Sequence, residues 1–241
     1  DDSHGIIIVA DLTNNPADTE HLPQVVEEVR ELRQELGLSA EDEKQTQMSV
    51  DSGYFSADNI KTEGDGIELL IASGREKQKE EMESKGNRVY SLKRFCYDKE
   101  ENAWRCPEGR LLIQEAVQAD GKYRYVCQDC AGCKMMSHCL KPGEDRRTLV
   151  VEGDQLLLGE MRARLKKPEK HAVYRKRKWV AEQPMGQIKE GLGFRGVTMR
   201  GDDYACGQWR FACAVHNVMK AVRFIARSRK SGKMEAIISV A

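Results

Sequence analysis

Short apolar runs that alternate with an amphipathic helix constrain the fold more than any other feature of this chain. The sequence predicts strands at 5–10, 48–51 and 67–72, each rich in β-branched or aliphatic residues. Between the first two, an apolar stripe from Leu22 to Leu36 faces acidic residues, with Asp18 as a cap and Gly37 as a stop. Strands alternating with helices predict parallel crossovers, and therefore an α/β sheet.

The second of these strands ends in an acid. Asp51 is followed by Gly53, which permits a tight turn, and by Ser56, which suits the N-cap of a short helix. An aspartate at the carboxyl end of a central strand points into the crevice where α/β sheets bind ligands. The alternative is that Asp51 simply begins a turn.

A second acid, Glu182, is isolated in a basic stretch that runs from Tyr174 to Lys189. On a continuous helix Glu182 and Lys189 would share a face, with Arg175 and Lys178 one to two turns behind. Such a face can hold a divalent cation and grip a phosphodiester. The alternative is an ordinary helix in which Lys178 pairs with Glu182 four residues on.

Six of the eight cysteines lie between Cys96 and Cys139. Cys-x2-Cys spacing places two thiolates on one turn and suits tetrahedral zinc, while unliganded thiols and disulfides are the alternatives. We expect a cytoplasmic protein, because the sequence shows no secretion signal and no apolar run near the roughly 18 residues of a membrane helix. Disulfides are rare in that compartment, which favours zinc. Cys206 and Cys213 are expected in the core.

Charge is balanced overall but sorted along the chain. Lys and Arg number 39, as do Asp and Glu. Acids dominate 20–43 and 76–83, whereas bases dominate 162–178 and 223–233, which favours one nucleic-acid-binding face or, alternatively, an ordinary solvated surface. Because the chain begins with Asp1 and not Met, we expect the natural product to be longer.

Together these segments resemble the DDE transposases of bacterial insertion sequences, in the group that has a Tyr-Arg-Glu-Lys signature and a cysteine-rich insert. The resemblance runs from about Ile6 to about Phe224. It rests on the following residues: Asp51, Gly53, Tyr54, Ser56, Tyr174, Arg177, Glu182, Lys189, Phe194-Arg195, Met199-Arg200-Gly201 and Val215-His216-Asn217.

The resemblance implies a ribonuclease-H-like mixed sheet with flanking helices, interrupted by a small cysteine-rich insert. It implies that Asp51 and Glu182 are the second and third of three carboxylates that hold two catalytic Mg²⁺ ions. It assigns DNA contacts to Tyr174, Arg177 and Lys189, and we add Lys178 because it belongs to the same basic stretch. A structural Zn²⁺ would be held by Cys106, Cys130, Cys133 and Cys139, with Cys127 as a spare ligand. The partners would be the ends of the mobile element, target DNA and a second copy in a homodimer.

Two departures from the family pattern bear on these expectations. The first catalytic Asp would lie on a strand upstream of Ile6, so we expect this chain to be a C-terminal portion lacking it; Asp11 matches a non-catalytic position. The sequence also reads Glu182-Gln-Pro184-Met185 where the family reads Glu-Pro-Val-Phe, which moves the expected helix kink.

We therefore expect a transposase portion that cleaves and transfers DNA strands. The alternatives are a non-enzymatic zinc-containing DNA-binding protein, such as an inactive remnant, and an interaction module whose acids lie on the surface. The expected organisation is a first part of the core (1–74), a charged linker and cysteine-rich insert (75–158), a helical completion of the core (159–228) and a tail (229–241).

Overall fold

The computed structural model describes residues 3–13, 20–38, 45–74 and 90–230, which form two compact units. The sheet unit contains the described residues of 18–23 and 39–174. The helical unit contains those of 1–17, 24–38 and 175–241. Three expectations concern residues outside the described ranges: the Asp18 cap, the acidic run at 76–83 and the end of the tail after residue 230.

The sheet unit contains the predicted parallel crossover. Strand β1 (Thr46–Val50) pairs in parallel with β2 (Ile67–Ile71), with Met48 opposite Leu69. Helix α2 (Ala57–Ile60) lies between them in the chain, and its N-cap Ser56 accepts a hydrogen bond from the Asn59 N–H at 3.2 Å. This confirms the predicted strand, turn and capped helix around Asp51.

The sheet unit also contains a five-stranded antiparallel sheet. Its strands follow chain order: β3 (Cys96–Asp98), β4 (Ala103–Arg105), β5 (Leu111–Val117), β6 (Tyr123–Cys127) and β7 (Thr148–Val151). The short helix α3 (Met136–Cys139) lies between β6 and β7. The mixed α/β class is as expected, while the ribonuclease-H-like sheet remains a prediction.

Helix α4 (Gly153–Lys166) packs on this sheet through a glycine. An added Cβ on Gly159 would lie 2.5 Å from the Trp104 ring and 2.8 Å from Tyr97 Cβ. Trp104 is fully buried, and Tyr97 lies directly opposite it on β3. The helix and the sheet therefore meet at a distance that only glycine allows.

Arg164 of the same helix contacts the parallel pair of strands and the turn before β2. The two terminal guanidinium nitrogens of Arg164, Nη1 and Nη2, donate to the carboxylate of Glu63, and Nη1 also donates to the Leu69 carbonyl at 3.1 Å. Glu63 in turn accepts from the Leu69 N–H at 2.9 Å. Since Arg164 is only 16% exposed, this pair is better shielded from solvent than a surface salt bridge.

Three helices form the helical unit: most of α1 (Leu22–Glu35), α5 (Pro168–Gly186) from Arg175 onward, and α6 (Asp202–Lys230). The predicted end of α1 is confirmed, since Gly37 has a φ of +69°. Ile188, Ala212 and Cys213 form a small buried core. On the last turns of α6, four apolar residues are exposed: Val218, Val222, Phe224 and Ile225.

The expected strand at 5–10 is wrong for the described part of the chain. The segment has no strand partner there, and side chains of α6 bind its backbone. The Asn217 amide accepts from the Ile7 N–H at 2.9 Å and donates to the Ile7 carbonyl at 2.7 Å. Arg210 donates to the Ala10 carbonyl at 3.0 Å. A β-branched run alone predicts extended backbone but does not supply the neighbouring strand.

No helix among the described residues combines the length and the apolar character needed to cross a membrane.

Candidate functional site

Asp51 stands where the sequence predicted it, directly after β1 at the carboxyl end of the parallel pair. It caps the short 3-10 turn Ser52–Tyr54. Its carboxylate accepts a hydrogen bond from the Ser52 N–H and another, at 3.2 Å, from the Ser52 hydroxyl. Both bonds use Oδ1, and the residue is exposed. Asp51 therefore begins a turn, as the alternative interpretation predicted, while remaining exposed.

Glu182 lies on α5 and is exposed. The alternative pair with Lys178 does not form, and the described part of the chain gives the Glu182 carboxylate neither an ion pair nor a hydrogen bond. Arg175 and Lys178, both exposed, share its helical face at spacings of seven and four residues. An acid without an ion-pair partner beside two cations is available to an external ligand.

Asp51 belongs to the sheet unit and Glu182 to the helical unit. The meeting of the two carboxylates around shared ions remains a prediction.

The helix that carries Glu182 changes character directly after it. Pro184 is buried inside α5, where it removes one backbone donor, and a π-helical turn follows at Gln187–Gly191. Lys189 lies on this turn and not on the continuous α-helix assumed from the sequence. It lines a cavity of about 340 Å³ together with Met185, Phe194 and Arg195.

The remaining predicted DNA contacts lie on the other side of Glu182 in the chain. Tyr174 is half-buried and is the last residue of α5 that belongs to the sheet unit. Arg177 is also half-buried, whereas Lys178 is exposed. Lys178 and Lys189 are thus the most accessible of the four predicted contacts.

Asp11 is held in a local network, in keeping with its non-catalytic assignment. Its carboxylate accepts from the Cys206 thiol at 3.0 Å, from Arg210 at 3.4 Å and from Gln24 at 3.0 Å. The Cys206 hydrogen bond and the Arg210 charge hold the pKa of Asp11 below its usual value, although partial burial acts in the opposite direction. Cys213 is in the core as expected, whereas that expectation is wrong for Cys206, which is half-buried with its thiol bonded to Asp11.

The cysteine segment forms a second candidate site, which we call the thiol cavity. Cys106, Cys127, Cys130, Cys133 and Cys139 all line one small cavity of about 20 Å³. The backbone N–H of Arg110 donates to Cys106 Sγ at 3.3 Å, and that of Arg147 donates to Cys130 Sγ at 3.4 Å. The structure thus brings all four predicted ligands and the spare Cys127 together, and leaves Cys96 outside the lining.

A metal site is not ready-made in the described residues. Among them, no group of three or more His, Cys, Asp or Glu side chains is arranged to hold a metal ion, so zinc is not supported by the geometry. All eight cysteines are free thiols. Burial, followed by the hydrogen bond with Cys130, raises the pKa of Cys127 to about 12, and burial also raises the pKa of Cys139.

Two arginines that the sequence did not single out organise the thiol cavity. Arg147 donates to the carbonyls of Cys139 at 3.0 Å and Tyr90 at 2.8 Å. Arg110 binds the carbonyls of Asp129 and Ala131, between the cysteines of the Cys-x2-Cys pairs. Their positions, four residues after Cys106 and eight after Cys139, were the only sequence signal available.

Comparison with known proteins agrees with the resemblance. Residues 105–222 match a family model described as the transposase DDE domain. That segment belongs to the DDE transposase family, and it covers just under half of the chain. It includes Glu182, Lys189 and the cysteines of the thiol cavity, whereas Asp51 lies before it. No curated protein and no solved structure matches the chain significantly.

Proposed function

We propose that this chain contributes to metal-dependent cleavage and transfer of DNA strands during transposition of an insertion sequence. The observation that carries the proposal is the Glu182 carboxylate, which lies within the family match, is exposed, and has no ion-pair partner among the residues that the structure describes. A surface acid beside Arg175 and Lys178 would ordinarily be neutralised by one of them. Since neither cation pairs with Glu182 in the described part of the chain, its carboxylate is available to a metal ion that arrives with a phosphodiester.

Asp51 and Glu182 are the residues that would hold Mg²⁺. Each is an exposed carboxylate, the ligand type that Mg²⁺ prefers alongside water and phosphate oxygens. When bound, the ions supply an activated oxygen nucleophile and stabilise the leaving oxygen. The 3-10 turn fixes the direction of the Asp51 carboxylate, and the residue is exposed.

A metal-binding comparison tests these two carboxylates without requiring turnover. We expect Glu182→Gln and Asp51→Asn each to weaken Mn²⁺ binding, followed by electron paramagnetic resonance, by at least about tenfold, because each removes an anionic ligand. Glu190→Gln is the matched control, since Glu190 is an exposed acid on the adjacent π-helical turn. Wild-type Mn²⁺ binding in both variants would refute the assignment.

The same variants separate the enzyme from a non-enzymatic DNA-binding protein. Wherever Mg²⁺-dependent nicking of element-end DNA is detected, Glu182→Gln should abolish it and leave DNA binding intact. DNA binding without a carboxylate-dependent metal site favours the non-enzymatic alternative.

We propose Tyr174, Arg177, Lys178 and Lys189 as contacts to DNA phosphates, and a homodimer as the form that joins two element ends. Arginine can bind a phosphate through two parallel hydrogen bonds, while lysine acts as a point charge. The exposure of Lys178 and Lys189 supports this assignment.

We also propose that the thiol cavity takes up Zn²⁺ through Cys106, Cys130, Cys133 and Cys139, with Cys127 as a spare ligand. The support is the convergence of these thiols on one cavity and the two backbone N–H groups that already bond to sulfur. The absence of a ready-made metal group among the described residues means that uptake would require the side chains to adjust.

Metal analysis of protein purified under reducing conditions tests zinc. We expect about one zinc per chain, with Cys130→Ser lowering both the zinc content and the unfolding temperature. Cys96→Ser, the control outside the cavity lining, should retain both. Folded protein without zinc, whose thiols all titrate freely, would contradict the proposal.

A further inference from the structure

A second cavity of the helical unit has none of the candidate metal, zinc or DNA-contact residues in its lining. Its volume is about 780 Å³, within the range of ligand-binding pockets. Residues 3–6, the Trp179 face of α5 and the last turns of α6 surround it. Asp and Glu are absent from its described lining, whereas Lys220, Arg223 and Arg227 are all present. We call it the aromatic-cationic cavity.

Three cations line this cavity, all from α6. Lys220, Arg223 and Arg227 make no ion pair with any acid in the described part of the chain. They lie at spacings of three and four residues on α6, so they project from one side of the helix. Like charges at these spacings repel one another, and an anionic ligand would relieve that repulsion.

The aromatic residues of the cavity face solvent. Trp179 is 68% exposed and Phe224 is 45% exposed. His4 meets the Phe224 ring edge-on, with ring centroids 5.2 Å apart. An exposed tryptophan has an apolar surface that water solvates poorly, and a flat aromatic ligand would cover it.

A glycine lines the cavity next to Lys220. Gly5 has a φ of +68°, and an added Cβ would lie 3.1 Å from Lys220 Nζ. The Gly5 carbonyl is bonded to the buried His216 at 3.0 Å. A side chain at residue 5 would require only a small shift of the flexible Lys220 side chain, while the backbone of residue 5 would be strained at this φ.

We propose that this cavity binds unpaired nucleotides of DNA, with a base stacked on Trp179 and its phosphate held by Arg223, Arg227 and Lys220; this rests on the proposed function. Single-stranded nucleic acid binds where aromatic side chains that stack with bases lie beside cations that follow the backbone. Duplex DNA would contact the cationic side chains through its phosphates but would leave Trp179 without a stacking partner, because its bases are stacked on one another. An acidic peptide also satisfies only the cations.

Binding of an oligothymidylate tests the proposal directly. Trp179 is the most exposed of the three tryptophans, since Trp104 is fully buried and Trp209 is half-buried. Saturation with the oligonucleotide should therefore quench the accessible tryptophan fluorescence. Trp179→Ala should abolish this quenching and weaken single-strand binding by about tenfold, as expected for the loss of one stacked base. Trp179→Phe should retain most of the affinity, because it keeps an aromatic face.

Charge variants supply the matched comparison. Arg223→Gln with Arg227→Gln should weaken single-strand binding by more than about tenfold at low salt. Arg229→Gln removes an exposed cation of the same helix outside the cavity lining and should leave it unchanged.

The outcomes distinguish this proposal from the proposed function. Duplex binding that persists, together with single-strand binding that is equal in wild type and Trp179→Ala, overturns the cavity assignment and leaves the transposase function in place. Failure to bind DNA of either form overturns both. Equal effects of Trp179→Ala on duplex and single strands also contradict the assignment, because a duplex offers no base to the ring.

Discussion

Replacing Gly159 with alanine is expected to destabilise the sheet unit by about 2–3 kcal/mol, the upper part of the range for overpacked cores. The new methyl group would overlap the Trp104 ring at 2.5 Å and Tyr97 at 2.8 Å. Neither neighbour can move away easily. The two rings are 5.4 Å apart across paired strands, and the Tyr97 hydroxyl bonds to Asn102 at 2.8 Å. Urea unfolding measured by circular dichroism would show the loss.

Gly153→Ala is the control for this substitution. Gly153 begins the same helix, and an added Cβ there meets nothing within 4 Å. Alanine is the better helix former by up to about 1 kcal/mol, so this variant should be neutral or slightly stabilised. If Gly159→Ala proves as stable as Gly153→Ala, the close packing of α4 on the sheet is wrong.

The predictions that the structure confirms depend on interactions between residues that are close together in the sequence. The Ser56 cap, the stop at Gly37 and the strands at β1 and β2 follow from side chains that act on their own backbone or on near neighbours. The parallel crossover was predictable for the same reason, because two apolar strands separated by a short capped helix admit few other arrangements.

Long-range contacts set the parts that the sequence did not predict. Residues 5–10 satisfy the rule for a strand, yet Asn217 and Arg210, about 200 residues away, bind their backbone. The sequence around Gly159 predicts only a glycine within a helix and does not indicate its contact with Trp104. Both depend on packing between elements, which periodicity does not report.

The features of the candidate sites also fall into two groups: those predictable from close sequence spacing and those determined by long-range contacts. Glu182 was noticeable because its basic neighbours are adjacent in sequence, and the convergence of the cysteines follows their close spacing. The π-helical turn that carries Lys189 was not foreseen, since it depends on how the chain leaves the buried Pro184. The aromatic-cationic cavity joins residues 3–6 to residues beyond 220, a pairing without any sequence signal.

Neutralising the basic face around Glu182 should have the largest effect on duplex DNA binding. We expect Arg175→Gln, Lys178→Gln and Lys189→Gln together to weaken binding by about a hundredfold or more at low salt. Each cation lost should also lower the slope of log affinity against log salt by about 0.9. All three residues are exposed, so the fold should tolerate their replacement. Fluorescence anisotropy of a labelled duplex across a salt series measures both quantities.

The matched control removes Lys93, Lys134 and Lys141, which are exposed lysines of the sheet unit. It lowers the net charge by the same amount, so a general electrostatic attraction would weaken equally in both triple variants. A local phosphate-binding face predicts a large loss of affinity and a reduced salt slope only for the triple variant around Glu182. Equal losses in both would mean that the basic stretch of α5 is a solvated surface, and the proposed DNA contacts at Lys178 and Lys189 would then be wrong.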